Sequence, residues 1–192
     1  ANMKTQHIYI FARRLQPKKP KLKLENLLAT LLLILYEPMP IKIIHYDPQF
    51  SKDFYDLNIE WLQTFFYVEP YDEEVLSKPE TYIIDKGGHI FFATKNEQII
   101  GTVALMPTPS SGILELTKMA VLPEERGQKI GQQLLQHCID FGTTQNLKGL
   151  LLYSNNKLEN AIYLYRKYGF KELKLEKGNP YQRADIKMFL EL

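Results

Sequence analysis

The chain predicts an α/β fold: a mixed central sheet of about seven strands with helices on both faces, behind an N-terminal helical extension. Three observations carry this reading. From Ile41 onward, short apolar runs alternate with longer runs whose apolar residues recur every three or four positions. The stretch Glu115 to Leu135 passes directly from strand to glycine-bearing loop to helix. The last two apolar runs, 170–175 and 184–190, predict an antiparallel pair that completes the sheet.

Residues 1–40 differ in character from the rest of the chain. The segment P-K-K-P-K at 17–21 reads as an extended, solvated linker. After it Leu24, Leu27, Leu28, Leu31, Leu32 and Leu35 form one apolar helical stripe. A basic lead before an apolar run also has the look of a signal sequence. No small-residue cleavage site comes after it, however, and the run is too short to span a bilayer. The expectation is a helix packed on the domain or on a second copy of the chain, which would make a homodimer. The main domain is expected over 41–192.

That domain begins with a strand at 41–46. Ser51 then caps a helix with Phe54, Leu57, Trp61, Leu62 and Phe65 near one face. A shorter helix runs from Asp72 through Leu76 and is closed by Pro79. Gly87–Gly88 leads into a hairpin of strands 89–95 and 98–106, joined at Asn96–Glu97. The strand 113–122 is next, with Glu115, Thr117, Met119 and Val121 expected on one face and Leu116, Lys118, Ala120 and Leu122 on the other. A helix covers about 127–142, a short strand 150–153, and a helix 159–168 stopped by Gly169.

Composition bounds the function. Hydrophobic residues at 45% and charged residues at 24% are ordinary for a soluble globular protein. Within a net charge of +2, residues 1–40 carry seven Lys or Arg against Glu25 and Glu37, or +5. The remainder holds 17 basic against 20 acidic residues, or −3, which argues against nucleic acid as a partner. The single cysteine, Cys138, excludes a disulfide framework and a multi-cysteine zinc site and fits a cytoplasmic protein. It falls on the apolar side of its helix and reads as a buried structural thiol.

The chemistry-bearing stretch is the loop after Pro123. A strand, a glycine turn and a helix start aim several backbone N–H groups at one point, an arrangement suited to a pyrophosphate. Glycine in such a turn also occurs for packing alone. The order of elements, with R126-G-Q-K-I-G131 and A161-I-Y-L-Y-R-K-Y-G-F170, resembles the GNAT superfamily of acetyl-CoA-dependent N-acetyltransferases over about residues 41–192. Two positions depart from the family pattern. Lys129 stands where the loop's first glycine is expected, and is accommodated if its φ is negative; Leu158 stands where an asparagine is common. The finer pattern, including N58-I-E-W61, E69-P-Y-D72 and Y181-Q-R-A-D-I-K-M188, is similar to a bacterial group sometimes fused behind MarR-type regulators.

The resemblance implies transfer of an acetyl group from acetyl-CoA, a co-substrate, to a primary amine of a small molecule in a ternary complex. No metal, nucleic acid or membrane is implied. Arg126, Gly127, Gln128, Lys129, Ile130 and Gly131 would hold the pyrophosphate, and Met119, Ala120 and Val121 the pantetheine arm. This requires strands 113–122 and 150–153 to diverge. Asn155 and Asn160 would add amide contacts. Tyr165 is expected to protonate the departing sulfur, with Tyr163 and Tyr168 as competitors on the same helix. Glu115 is the candidate general base, or else an ammonium anchor, with Glu69 and Asp72 as rivals. Trp61, Glu69 and Arg183 are expected to bind the acceptor, with Phe66 and Tyr181 helping to shape its pocket. A free arginine there would suit an acceptor carrying a carboxylate or phosphonate. The histidines are expected to play structural or surface roles. The rival readings are another acyl-CoA, a protein amine, or a non-catalytic acyl-CoA sensor.

Overall fold

A computed structural model of the protein describes residues 40–192; the expected basic linker and leucine-striped helix lie outside the described residues. Seven strands form one mixed sheet in the order β1-β2-β3-β4-β5-β7-β6. These are β1 (Lys42–His45), β2 (His89–Lys95), β3 (Gln98–Pro107), β4 (Ile113–Val121), β5 (Gly149–Ser154), β6 (Lys171–Leu173) and β7 (Ile186–Glu191). Every neighbouring pair is antiparallel except β4–β5. Asn96 and Glu97 both have positive φ, the conformation that joins two strands by the tightest hairpin.

Among the described residues four α-helices cover the sheet: α1 (Ser51–Phe65), α2 (Pro70–Ser77), α3 (Ile130–Thr144) and α4 (Glu159–Lys167). On one face Ile130, Leu134, Leu135, Cys138 and Ile162 from α3 and α4 bury against Phe91, Val103, Leu105, Leu152 and Met188. On the other, Phe54, Leu57, Leu62, Val75 and Leu76 from α1 and α2 cover Ile90, Phe92 and Ala104. Burial of each such side chain contributes about 1.5–3 kcal/mol.

Three boundaries differ from expectation. Helix α3 begins at Ile130 rather than 127, because Gly127 (φ 81) and Lys129 (φ 63) are left-handed. Helix α2 begins at Pro70, capped by Glu69, where a reciprocal box with Asp72 satisfies two backbone amides. A single π-helical turn at Glu80–Ile84 comes next, where only a helix stop was expected. Among the described residues no helix is long and apolar enough to cross a membrane.

Strand β4 sets up the site through two irregularities. It pairs with β5 only at Ile113↔Gly149, Leu114↔Leu150 and Glu115↔Leu151. Beyond that point β4 stays with β3 as far as Val121↔Gly101, while β5 stays with β7 as far as Ser154↔Ile186, so the strands diverge. The pairing of β4 with β3 also slips between Thr117↔Ala104 and Ala120↔Thr102, which places Lys118 and Met119 opposite Val103. Lys118 is left-handed there (φ 51), as one residue of a bulge can be. The expected strict alternation is therefore corrected. Leu116 joins the α3–α4 core, whereas Ala120 joins the α1–α2 core.

Candidate active site

The divergence of β4 from β5 opens a cavity of about 180 Å³ lined by residues from α1, α2, β4, β5, α4 and the segment before β7. Met119, Asn155, Tyr165, Trp61 and Arg183, five of the residues singled out from sequence, share this lining. Past Glu115 the β5-facing edge of β4 has no strand neighbour, which leaves main-chain groups open to an extended ligand. Ala120 is buried in the α1–α2 core, and the Val121 carbonyl accepts a hydrogen bond from Arg126 Nε at 3.0 Å.

At the outer end of β4, the loop into α3 presents the backbone amides of residues 127–132 with no acceptor among the described residues. Successive amides beside a helix N-terminus form a concavity suited to phosphate oxygens. Gly127 needs its φ of 81, which side-chain-bearing residues rarely adopt. Lys129 takes the same kind of backbone (φ 63), not the negative φ expected of it, at a cost of about 1–2 kcal/mol. Gln128 and Lys129 are exposed and Ile130 is buried beneath them. Gly131 has open space where a Cβ would stand. The Arg126 guanidinium turns to Glu60 of α1 and stacks 5.4 Å from the Phe65 ring, so it braces the loop instead of extending from it.

The opposite wall carries Tyr165 of α4. Its ring lies in the core 5.7 Å from Phe170, and burial pushes its phenol up to about 12. It lines the cavity together with Ala161 and Leu158. Of its sequence competitors, Tyr163 is 71% exposed. Asn160 is exposed and outside the cavity lining. Asn155 is committed to the chain itself, donating to the Arg183 carbonyl at 2.6 Å and accepting from the Lys157 amide at 2.9 Å.

The acceptor-side wall differs most from expectation. Glu69 and Arg183 bind each other and their surroundings. Glu69 accepts the amides of Gln182 and Arg183, both at 3.0 Å, and lies 3.1 Å from the Arg183 guanidinium. Arg183 in turn forks onto Asp72 at 2.5 and 3.1 Å. The free arginine expected for an acidic acceptor is therefore not available. Lys118, which sequence reasoning missed, reaches Asp72 at 2.6 Å and is almost wholly buried. A lysine within the apolar run of a central strand was the available signal. Burial raises Asp72, but Arg183 and Lys118 outweigh it and hold the carboxyl below its usual range. Lys118 is pulled below the lysine range by burial, and Arg183 adds to this against the attraction of Asp72.

Glu115 stands behind Tyr181, which lines the cavity. The Tyr181 hydroxyl donates to Glu115 at 2.8 Å and lies 3.2 Å from the Thr117 hydroxyl, which donates to it. Burial raises the Glu115 carboxyl, and the partial offset from Tyr181 and Lys118 does not reverse this. Tyr181 is itself buried, with its phenol pushed well above 10. Its ring lies 5.9 Å from both Tyr71 and Tyr153.

Cys138 is fully buried in the α3–α4 core and its thiol is raised by burial, which disfavours a thiolate. His45, His89 and His137 surround Phe91 and Phe141, apart from the cavity lining. Among the described residues no three His, Cys, Asp or Glu side chains cluster as metal ligands would.

Residues 86–172 match the family model described as acetyltransferase (GNAT) domain. An uncharacterized N-acetyltransferase of Schizosaccharomyces pombe is 28% identical over 136 residues, 69% of this chain and 83% of that protein. N-acetyltransferase 8B of Rattus norvegicus is 31% identical over 97 residues, 48% of this chain; the match spans only 44% of that relative's length. A GNAT-family acetyltransferase structure from Staphylococcus aureus Mu50 superposes with a TM-score of 0.71 at 25% identity, covering 79% of this chain and 99% of the other. The PaiA N-acetyltransferase of Thermoplasma acidophilum, solved with coenzyme A, has a TM-score of 0.63 at 18% identity, covering 80% of this chain and all of the other.

Proposed function

We propose that this chain is a GNAT acetyltransferase, as the match of residues 86–172 to that domain model supports, and that it acetylates a primary amine of a small molecule directly from acetyl-CoA. The observation that carries the reading is the divergence of β4 from β5, with unpaired amides at one end and Tyr165 on the facing wall. The loop amides of 127–132 suit the pyrophosphate, and the free edge of β4 suits the amides of the pantetheine arm. Direct transfer in a ternary complex is supported by the placement of Cys138, which is buried away from the cavity.

In this proposal the amine nitrogen forms a bond to the thioester carbon and the carbon–sulfur bond breaks. The nitrogen's proton passes to the Tyr181 oxygen as the Tyr181 proton passes to Glu115, whose raised carboxyl makes it the better base. The departing sulfur takes its proton from Tyr165, which stays protonated at neutral pH because its phenol lies near 12. Lys118, Asp72, Arg183 and Glu69 act as a buried brace that fixes α2 against β4 and the segment before β7. The protein is taken to work in the cytoplasm.

The test combines calorimetric titration with acetyl-CoA and a thiol-release assay over a panel of primary amines. Saturable binding with amine-dependent thiol release is the expected result. Binding without release for any amine would favour the sensor reading, and release only with protein amines would replace the small-molecule acceptor.

A further inference from the structure

Resting on the acetyl-transfer reading above, we infer that the acceptor is a small arylalkylamine, one aromatic ring on a short arm, with no acidic group and no second ammonium. A charge audit of the cavity wall excludes the alternatives. Both basic side chains that line it are already committed: Arg183 to Asp72 and Glu69, and Lys118 to Asp72. A carboxylate or phosphate on the acceptor would meet Asp72 and two cations already paired, in place of a free cation. Pulling Arg183 away to greet it would strand two buried carboxylates, because Glu69 and Asp72 have side-chain exposures of only 5% and 0%. A second ammonium fares no better. Asp72 and Glu69 are paired, and Glu115 is screened from the cavity by the Tyr181 hydroxyl.

What the wall does offer is flat apolar surface. Trp61 and Phe66, 5.6 Å apart at the α1 end, line one side. Tyr181 and Tyr153, 5.9 Å apart, line the other. Aromatic rings meet one another favourably in tilted and edge-on arrangements at such separations. The volume agrees, since a cavity of roughly 150 Å³ holds a benzene-sized molecule and this one measures about 180 Å³.

The experiment compares 2-phenylethylamine with L-phenylalanine, which is the same skeleton bearing a carboxylate, and with spermidine and an alanine-initiated peptide. Acetyl-CoA titration runs in parallel. The expected result is a kcat/KM for 2-phenylethylamine at least about tenfold above each of the others. Trp61→Ala should remove roughly tenfold or more of that value, with Trp61→Phe recovering most of it. Equal or better turnover of L-phenylalanine, spermidine or the peptide overturns the inference while leaving acetyl transfer intact. Binding of acetyl-CoA with no turnover of 2-phenylethylamine also overturns it. Absence of acetyl-CoA binding would instead remove the underlying reading.

Discussion

Tyr165 and Tyr181 are both buried phenols lining one cavity, yet their hydrogen-bond surroundings suit them to opposite duties in the proposed transfer. No side-chain partner holds the Tyr165 hydroxyl among the described residues, so in the proposed transfer its proton would be free to pass to sulfur. Tyr165→Phe should therefore lower kcat by about 100-fold or more while acetyl-CoA affinity, read by titration, changes little. Equal losses in both would make the residue structural. The Tyr181 hydroxyl is instead locked between Thr117 and Glu115. Tyr181→Phe keeps the ring contacts and removes only the proton link. The wild-type rate should rise with pH through a value above the ordinary carboxylate range, because Glu115 must be ionised to accept a proton and burial raises it. In Tyr181→Phe that acid limb should disappear together with most of kcat, and an unchanged pH profile would sink the relay. The place of Tyr165 on the cavity wall was legible because its motif picks it out. Lys118 and the Tyr181–Glu115 pair were not, since Glu115 and Tyr181 lie 66 positions apart and only the fold joins them.

At the scale of elements, the loop into α3 carries local backbone strain at Lys129. Replacing Lys129 with glycine relieves a left-handed φ and should stabilise the protein by about 1 kcal/mol, a rise in Tm of roughly 2–4 °C. Gly127→Ala should do the reverse and weaken acetyl-CoA binding, because space is open there but φ is not. Strand β5 shows the other kind of glycine. A Cβ on Gly149 would run into the Phe189 ring and the Leu190 carbonyl, at the residue that begins the short β4–β5 pairing. The strands and most helices could be read from periodicity. The bulge at Lys118 could not, because a one-residue insertion leaves the apolar pattern of β4 intact while turning the strand over midway. The start of α3 is hidden for a related reason: the apolar spacing is silent about which residues preceding it are left-handed.

Across the whole molecule, two separate cores sit on the two faces of one sheet, and they respond to different conditions. The α3–α4 face holds His89 and His137, both lowered by burial and by neighbouring His45, with Asp140 opposing this at His137. The His137 Nε2 is buried without a partner among the described residues. A depressed histidine contributes stability above its unfolded pKa of about 6.5, and that stability is lost as pH falls below it. Tm should thus decline as the medium is acidified from about pH 7 to 5, and His137→Phe should flatten the decline. On the other face, Asp72 is held below its usual range, so its contribution persists to lower pH and fails only beneath the ordinary carboxylate value. Asp72→Asn should cost about 3–5 kcal/mol by stranding Lys118 and leaving Arg183 with Glu69 alone, read as a lower denaturation midpoint at neutral pH.

The two walls of the cavity also have different addresses along the chain. The stretch alike in the wider family, 86–172, holds the free edge of β4, the loop before α3 and Tyr165. Trp61, Glu69 and Asp72 come before it, and Tyr181 and Arg183 after it. In the proposed reaction the donor is handled by this middle stretch, and the acceptor by the two flanking segments, which Glu69 and Asp72 join to Arg183. Such a division would let the flanks change, and with them the choice of amine, without disturbing the loop and strand edge that receive the thioester.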